Sequence, residues 1–357
     1  MLLPMRAVVI EEIRAHPEVR EVPAPDAPDG GVVVSVEATG LCRSDWHAWA
    51  GHEDIAWPHV PGHELAGIIQ AVGAGVERWR PGDRVTAPFV CGCGRCRWCR
   101  QGEPQVCPHQ EQPGFTHWGS FAEQVVLHAA DANLVAIPDG VSSQAAASLG
   151  CRFATAYRGL VGRARISRGE TLAVIGAGGV GLSAVMIGRA LGAEVIAVDR
   201  SQSALDLARG LGAAHTILAP QGPGTPGQDE GVPARVSELT DGGADVAVDA
   251  VGSEQTCADS IHSLRRQGRH VQIGLLPAVS GHPRLPMDRV IAWELDVLGS
   301  HGMAAGAYPE MLAMIADGRL DPERLIARTI GLDQAAAALP LMDRAPQAGM
   351  TMIDPRR

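Results

Sequence analysis

A short glycine-rich segment that directly follows an apolar run limits most strongly how this chain can fold. The segment "TLAVIGAGGVG" places Gly176, Gly178 and Gly181 in a G-x-G-x-x-G pattern, and the helical pattern "LSAVMIGRALG" follows. The first glycine permits a tight turn, the second lets the backbone approach a pyrophosphate, and the third permits close packing of helix on strand. The free N–H groups of the helix N-terminus favour an anion there. The segment therefore predicts a strand–turn–helix unit that binds a dinucleotide.

A carboxylate after the next strand indicates which dinucleotide binds. Asp199 ends the run "EVIAVD", 18 residues after Gly181. A carboxylate at this position accepts hydrogen bonds from ribose hydroxyls and repels a 2′-phosphate. NAD is therefore favoured over NADP, although the neighbouring Arg200 can pair with such a phosphate. The alternative interpretation is an ordinary βαβ unit without a nucleotide.

The two halves of the chain differ in pattern, which predicts two domains. Up to about residue 149, short β-rich runs such as "GVVVSVEATG" and "ELAGIIQAVG" alternate with Gly and Pro, as in a mostly antiparallel β domain. Beyond it, strands such as "ADVAVDAVG" and "RHVQIGL" flank the helical "QTCADSIHSLRRQG", which is typical of a doubly wound parallel sheet. The segment "APQGPGTPGQDEG" is predicted to be an exposed loop, and the last 55 residues to be helical before a final strand, "GMTMID".

Composition excludes several classes of function. The formal net charge of −10 argues against nucleic-acid and anionic-membrane partners. No apolar run is long enough to span a bilayer, and the N-terminal "MLLPMRAVVIEEIR" lacks the features of a signal peptide, so we expect a cytoplasmic protein with reduced cysteines. All 30 basic residues are arginine, which excludes Schiff-base catalysis and a Walker A lysine.

Five of the eight cysteines lie in the segment "CGCGRCRWCRQGEPQVC", residues 91–107. Four of them follow the spacing C-x2-C-x2-C-x7-C: Cys93, Cys96, Cys99 and Cys107. Four clustered thiolates suit a closed, tetrahedral and therefore structural zinc site, with an iron–sulfur cluster as the alternative. Cys91 is interpreted as a small residue in a tight loop. A zinc-ribbon module that binds a nucleic acid or a protein is a more distant alternative for this segment.

A second set of metal ligands is scattered along the sequence. The segment "GLCRSDWH" contains Cys42, "PGHELAG" contains His63 and Glu64, and "LGCRFATAY" contains Cys151. Two cysteines and one histidine leave the fourth position of a zinc ion open, which is the pattern of a catalytic site. Taken singly, each of these residues is equally consistent with a core cysteine or an ordinary histidine.

Taken together, these motifs are specific. The chain resembles the zinc-dependent medium-chain alcohol dehydrogenases over its full length, because "GHELAG", the four-cysteine lobe, "GSFAE", "LGCRFATAY" and "GAGGVG" occur in that family's order. The resemblance implies an α/β protein with a GroES-like β domain and a Rossmann domain. The GroES-like catalytic domain is expected at residues 1–152 and 299–357, with the structural zinc lobe at 91–107, and the Rossmann NAD-binding domain at 153–298.

The resemblance also implies roles for individual residues. Cys42, His63 and Cys151 correspond to the ligands of a catalytic zinc, so that each chain would hold two zinc ions. Glu64 corresponds to a carboxylate that can transiently approach the metal, and Asp45 to a residue that orients the ligand histidine. The positions that correspond to cofactor contacts, beyond the glycines and Asp199, are Arg43, Thr155, Gly179, Val180, Arg200, Val251, Ile273, Gly274 and Leu275.

The implied reaction is reversible hydride transfer between an alcohol and NAD, which gives an aldehyde or a ketone. Ser44 and His47 match the family's proton relay, which runs from the serine through the cofactor ribose to the histidine. Five aromatic residues favour apolar primary or secondary alcohols over sugars, with packing of the β domain as the alternative role for most of them: Trp46, Trp49, Trp57, Phe89 and Trp118. The short segment between the lobe and "GSFAE" resembles that of bacterial members, which implies a homotetramer, with a homodimer as the alternative.

Two other activities within the superfamily remain open from the sequence. A polyol or other secondary-alcohol dehydrogenase would share the ligands and the cofactor but act on a different alcohol. A quinone-reductase-like relative would share the fold but lack zinc, and the complete ligand set argues against it.

Overall fold

The computed structural model describes residues 4–220, 231–276, 281–344 and 348–357. The chain divides into two compact units, one formed by residues 1–154 with 302–357 and the other by residues 155–301. The sequence placed the corresponding boundaries after residues 152 and 298. Most of the loop predicted for "APQGPGTPGQDEG" (residues 221–230) lies outside the described residues.

The strands of the described residues are numbered along the chain. They are β1 (Pro4–Val9), β2 (Glu18–Pro23), β3 (Val32–Leu41), β4 (Leu65–Val72), β5 (Arg84–Thr86), β6 (Gln124–Leu127), β7 (Val135–Ala136), β8 (Thr171–Ile175), β9 (Glu194–Asp199), β10 (His215–Leu218), β11 (Ala244–Asp249), β12 (Leu264–Gln272), β13 (Asp296–Gly299), β14 (Ile326–Ile330) and β15 (Met350–Ile353).

The helices are numbered in the same way. They are α1 (Arg43–Trp49), α2 (Arg97–Arg100), α3 (Ala130–Asn133), α4 (Ser143–Ser148), α5 (Ala154–Tyr157), α6 (Gly179–Ala190), α7 (Gln202–Gly210), α8 (Val232–Thr240), α9 (Glu254–His262), α10 (Met287–Trp293), α11 (Tyr308–Ala316) and α12 (Leu332–Ala338). Two π-helical turns, Leu149–Phe153 and Arg158–Arg163, flank α5.

The first unit is built on a seven-stranded sheet in the order β14-β15-β3-β4-β5-β7, with β6 paired to β3 and a separate β1-β2 pair. Most of these pairs are antiparallel, but β14 and β15 run parallel. The long strand β3 is rich in valine and almost continuously buried, because it lies inside the sheet between β15, β4 and β6. Its C-terminal end leads directly into Cys42 and α1.

The second unit is a six-stranded parallel sheet in the order β10-β9-β8-β11-β12-β13. Strands β8, β9 and β11 are nearly all apolar and buried, as expected where helices cover both faces of a parallel sheet. The strand order reverses beside β8, so the carboxyl end of β8 lies at the topological switch point. Together the two units confirm the predicted fold class, a GroES-like β domain with a doubly wound parallel sheet.

One predicted helix and the predicted helical tail need correction, and three strands were not expected. The helix expected over "QTCADSIHSLRRQG" ends at His262, and "LRRQG" instead begins β12. Leu264 pairs with Ala244 of β11, and the pairing resumes at Arg269 after an irregularity. These parallel contacts at both ends override the helix propensity of an arginine- and leucine-containing stretch. Strands β10 and β13 continue the same sheet, and β14 lies within the predicted helical tail; none of the three was expected. Within the described residues, no helix is long and apolar enough to cross a membrane.

Candidate functional site

Three chain segments bring the scattered metal ligands together in the first unit. Cys42 follows β3 and caps α1, and His63 precedes β4. Pairing of Thr39 with Leu65 holds these two strand ends side by side. Cys151 lies in the π-helical turn after α4, and such turns are frequent at functional sites. One ligand atom from each of Cys42, His63, Glu64 and Cys151 lies within 4.8 Å of the others.

The chemistry of this cluster fits a zinc ion. The Nε2 atom of His63 is buried and has no hydrogen-bond partner among the residues that the structure describes. A hydrogen bond with Cys151 lowers the pKa of the Cys42 thiol well below its usual value and raises that of Cys151. Two thiols and an unpaired imidazole nitrogen, all buried, are the donor set of a Cys2His zinc site.

Asp45 orients the histidine ligand from the opposite side of its ring. Its buried carboxylate lies 3.0 Å from Nδ1 of His63 and accepts hydrogen bonds from the N–H groups of Cys42 (2.9 Å) and Gly62 (3.1 Å). Although burial lowers the pKa of His63, the Asp45 carboxylate raises it above its usual value. With Nδ1 bonded to a carboxylate, Nε2 is the nitrogen left for the metal.

Glu64 is held by a residue that the sequence analysis missed, Arg152. The Arg152 side chain pairs with both carboxylate oxygens of Glu64, with Nε 2.9 Å from Oε1, and the backbone N–H of Arg152 donates to Oε1 at 3.0 Å. A Cβ atom on Gly40 would collide with this pair, so a glycine is needed there. Burial raises the pKa of Glu64, and Arg152 opposes this. The available signal was that Arg152 is the one charged residue in "LGCRFATAY".

The four-cysteine lobe forms the second metal cluster. One sulfur from each of Cys93, Cys96, Cys99 and Cys107 lies within 4.8 Å of the others. Cys96 Sγ lies 3.5 Å from Cys99 Sγ and 3.6 Å from Cys107 Sγ. A hydrogen bond from the backbone N–H of Arg95 lowers the pKa of Cys93 to about 6, which favours the thiolate. These four sulfurs fit a closed, structural zinc site.

Cys91 has a different environment from its neighbours. Its buried thiol donates to the carbonyl oxygen of Pro88 at 3.5 Å, and burial raises its pKa to about 12. Its backbone forms a two-way bridge with Glu111. Cys91 is therefore a protonated core thiol that closes a loop.

The residues expected in the proton relay lie along α1. Ser44 Oγ is 3.8 Å from Cys42 Sγ, which places this hydroxyl beside the metal ligands. His47 is half-buried near the end of the helix, and its Nδ1 lies 2.8 Å from Nδ1 of His52. Arg43, the expected pyrophosphate contact, is exposed; it stacks on Trp46 and pairs with Asp343 at 3.2 Å.

The glycines of the second unit have the geometry that their pattern predicts. Gly176 has a φ of +95°, and a Cβ there would collide with Val251. Gly178 caps α6 and faces open space, while a Cβ on Gly181 would collide with the carbonyl oxygen of Gly176. The three positions thus provide a turn, an open approach and a close helix–strand contact.

The other expected cofactor residues follow the carboxyl ends of neighbouring parallel strands. Asp199 ends β9, and its carboxylate accepts from the N–H groups of Ala177 (2.6 Å) and Ser201 (2.8 Å). Val251 follows β11 and is 46% exposed. Ile273, Gly274 and Leu275 follow β12, and Leu275 is 49% exposed. Ligands of open α/β sheets bind at this edge.

The remaining expected cofactor contacts lie on helices and in the loop after β9. Gly179 and Val180 form the first turn of α6, next to the glycine turn. Thr155 lies buried in α5, and its carbonyl oxygen accepts a hydrogen bond from Ser300 at 2.9 Å. Arg200 is exposed directly after Asp199.

The aromatic residues divide into two groups. Phe89 clusters with Cys42 and Cys151, and its ring lies 5.9 Å from that of His63. Phe115, which the sequence analysis did not single out, lies 5.2 Å from the His63 ring. The expected aromatic residues Trp46, Trp49 and Trp57 instead pack against the hydrophobic core around β1 and α12, and Trp118 donates to the carbonyl oxygen of Pro58. Two phenylalanines therefore provide apolar surface beside the metal ligands.

Comparison with known proteins agrees with this geometry. Residues 28–139 match the model of the alcohol dehydrogenase GroES-like domain, and residues 179–317 match that of the zinc-binding dehydrogenases. These two matches define the class of protein, a zinc-binding dehydrogenase.

Individual relatives narrow the class to a family. An alcohol dehydrogenase of Geobacillus stearothermophilus is 32% identical over 88% of this chain and 90% of its own length. A sorbitol dehydrogenase of Halalkalibacterium halodurans is 30% identical over 87% of this chain and 88% of its own. The structure of the alcohol dehydrogenase TADH from Thermus sp. ATN1 superposes with a TM-score of 0.86 at 32% identity, covering 98% of this chain and 99% of that one. The chain belongs to the zinc-dependent medium-chain alcohol dehydrogenase family.

Family membership confirms the cofactor prediction at the level of zinc and a nicotinamide dinucleotide. The two clusters of ligands correspond to the two zinc ions expected for each chain.

Proposed function

We propose that this chain is an NAD-dependent alcohol dehydrogenase that interconverts an apolar primary or secondary alcohol with its aldehyde or ketone. The observation that carries the proposal is the open ligand set. Cys42, His63 and Cys151 converge with an unpaired Nε2, while Arg152 engages the carboxylate of Glu64. Three protein ligands leave one position for an alcohol or carbonyl oxygen.

Each residue of the proposed site has a separate task. When bound, zinc supplies Lewis acidity and NAD supplies a hydride acceptor. Asp45 orients the His63 ring, and Phe89 and Phe115 exclude water from its surroundings. Ser44 Oγ accepts the proton that the alcohol loses as its own hydroxyl proton is passed on, and His47 carries a proton onward closer to the surface. Glu64 stays bonded to Arg152 beside the ligands.

NAD rather than NADP is proposed because of Asp199. Its carboxylate is tied to the glycine turn through the N–H of Ala177, so its negative charge is held next to the dinucleotide site. That charge repels a 2′-phosphate. The proposed cofactor contacts are the residues at the carboxyl ends of β8, β9, β11 and β12, together with Arg43, Thr155 and Val180.

A polyol dehydrogenase is the second candidate, because a sorbitol dehydrogenase is among the similar proteins. The phenylalanines beside His63 favour the apolar alcohol, since a polyol needs hydrogen-bond partners that their rings lack.

We also propose a homo-oligomer, either a tetramer or a dimer, in the cytoplasm. Strand β13 is the edge of the second sheet among the described residues, and Val297 within it is 44% exposed. On α10, which precedes β13 in the chain, Met287 (48%) and Ile291 (74%) are also exposed. An exposed apolar edge strand is suited to pairing with a second copy. The eight free cysteines suit a reducing compartment. Size-exclusion chromatography with light scattering tests the oligomer.

A substrate panel tests the activity. Aliphatic, benzylic and polyol alcohols and the matching carbonyl compounds are followed through NADH or NADPH absorbance, with and without a chelator. We expect chelator-sensitive turnover of apolar alcohols with NAD. Zinc analysis should find two ions per chain, one ion in Cys151→Ala and two in the control Cys91→Ala. Turnover of polyols alone supports the second candidate, and full activity of Cys151→Ala contradicts the proposed site.

A further inference from the structure

Two histidines form a direct contact at the C-terminal end of α1. Nδ1 of His47 lies 2.8 Å from Nδ1 of His52, and the rings are 5.1 Å apart at 42°. The backbone supports the contact, because the N–H of His52 donates to the carbonyl oxygen of His47 at 2.9 Å. His47 is half-buried, whereas His52 is exposed. The two rings therefore connect a half-buried position at the end of α1 with solvent.

In this contact the two Nδ1 atoms share one proton in a hydrogen bond. An imidazole nitrogen either donates or accepts, so one Nδ1 must carry the proton and the other must receive it. The Nε2 atom of each ring is then the second exchange point. A pair of this kind can pass a proton from one ring to the other without moving either ring.

The surroundings hold the two rings in place. The Trp46 ring meets both imidazoles edge-on, at 5.2 Å from His47 and 5.5 Å from His52. Arg43 covers Trp46, with its guanidinium carbon 3.9 Å from the ring centroid, and is itself paired with Asp343. Exposed Glu53 and Asp54 follow His52 in the chain.

Burial and the nearby positive charges favour the neutral form of the His47 imidazole. Burial lowers the pKa of His47, and the positive charges of Arg43 and of protonated His52 lower it further, while Cys42 opposes them. A neutral His47 accepts a proton from the interior side and does not retain it. A second titratable group, closer to solvent and able to exchange protons with water, completes such a path.

We propose that His52 is the outermost group of the proton relay. One proton arrives at Nε2 of His47, the proton on Nδ1 of His47 moves to Nδ1 of His52, and His52 releases its own proton from Nε2 to water or buffer. One proton enters and one leaves, and the reverse sequence serves carbonyl reduction. This inference rests on the proposed function, because alcohol oxidation by NAD is what releases the proton.

The test compares His52→Gln, His47→Gln and the control His282→Gln, whose histidine is exposed in the second unit. Proton release is followed with a pH indicator in weak buffer during a single turnover, and thermal unfolding checks the fold. We expect His52→Gln to slow proton release about tenfold, less than the 10²–10⁴ typical of a group that touches the reacting proton. Added imidazole should restore the rate in His52→Gln and leave the wild type and the control unchanged.

The outcomes separate this inference from the proposed function. If the wild-type protein does not oxidise alcohols, the proposed function is overturned, and the proposed role of His52 in the relay falls with it. Slow release in His47→Gln together with an unchanged rate in His52→Gln overturns the role of His52 alone. A rate in His52→Gln that falls with the unfolding temperature and does not respond to imidazole assigns His52 a structural role and also overturns the inference.

Discussion

Replacing Arg152 with alanine tests the energetic role of the buried ion pair beside the metal ligands. The side chains of Glu64 and Arg152 are 0% and 8% exposed, so solvent hardly screens their interaction. The substitution removes the side-chain contacts to both carboxylate oxygens and keeps the backbone N–H bond to Oε1. The buried Glu64 carboxylate then keeps only one hydrogen bond from residue 152, the one donated by its backbone N–H.

The expected loss is large for a single substitution. Removing one partner of a buried ion pair typically costs about 3–5 kcal/mol, because the remaining charge stays desolvated. In a domain of about 150–250 residues, such as the first unit, 1 kcal/mol shifts the unfolding midpoint by about 2–4 °C, so a decrease of roughly 6–20 °C is expected for that unit. The double variant Arg152→Met/Glu64→Gln should recover much of the loss, since it removes the unpaired charge.

Thermal unfolding followed by circular dichroism measures the effect, with zinc content determined for each variant. The matched control is Arg319→Ala, which breaks the exposed pair with Asp317 and should change stability by about 1 kcal/mol or less. If Arg152→Ala unfolds within 2 °C of the wild type at equal zinc content, or if the double variant is no more stable than the single one, the reasoning from burial is refuted.

Three further predictions concern the cysteine lobe, the glycine turn and acid stability. Cys107→Ala should lose one zinc ion and unfold at lower temperature, whereas Cys91→Ala should keep both ions; metal analysis with calorimetry separates them. Gly181→Ala should abolish NAD binding or folding because its Cβ has no room, while Gly178→Ala should fold and bind NAD more weakly, as measured by titration calorimetry. Burial lowers the pKa of His59, so stability is complete above its unfolded pKa of about 6.5 and declines as the pH falls below it. The unfolding midpoint of His59→Gln should therefore depend less on pH between 8 and 5, and an identical pH dependence would contradict this account.

Local patterns predicted much of this protein. The glycine turn at Gly176, the capped helix after it and the strand ending in Asp199 depend on contacts within about 25 residues of chain, which the sequence displays directly. The same holds for the sulfur cluster of the lobe, whose ligands lie within 15 residues of one another. Local patterns were misleading at "LRRQG", because pairing with β11 at Leu264 and again from Arg269 onward makes the segment part of a strand.

The site residues that the sequence did not predict share one property. Their role depends on a distant partner, or on where their ring lies, and the sequence specifies neither. Arg152 matters because its side chain reaches Glu64, 88 positions away. His52 matters because α1 ends in a turn that brings its ring back to His47, and an α-helix places side chains three or four residues apart, not five, in direct contact. Phe115 matters because its loop lies against His63.

By itself, the sequence determined the types of ligand, the spacing of the cysteine lobe, the dinucleotide turn and the family. The tertiary structure decided which polar atoms are hydrogen-bonded. Asp45 bonds to Nδ1 of His63 and Arg152 bonds to Glu64, which leaves Nε2 of His63 for the metal. The physical reason is that a spacing motif reports only local geometry, whereas hydrogen-bond partners across strands are set by sheet pairing and burial. Pairing of β3 with β4 brings Cys42 and His63 together, and the turn after α4 adds Cys151.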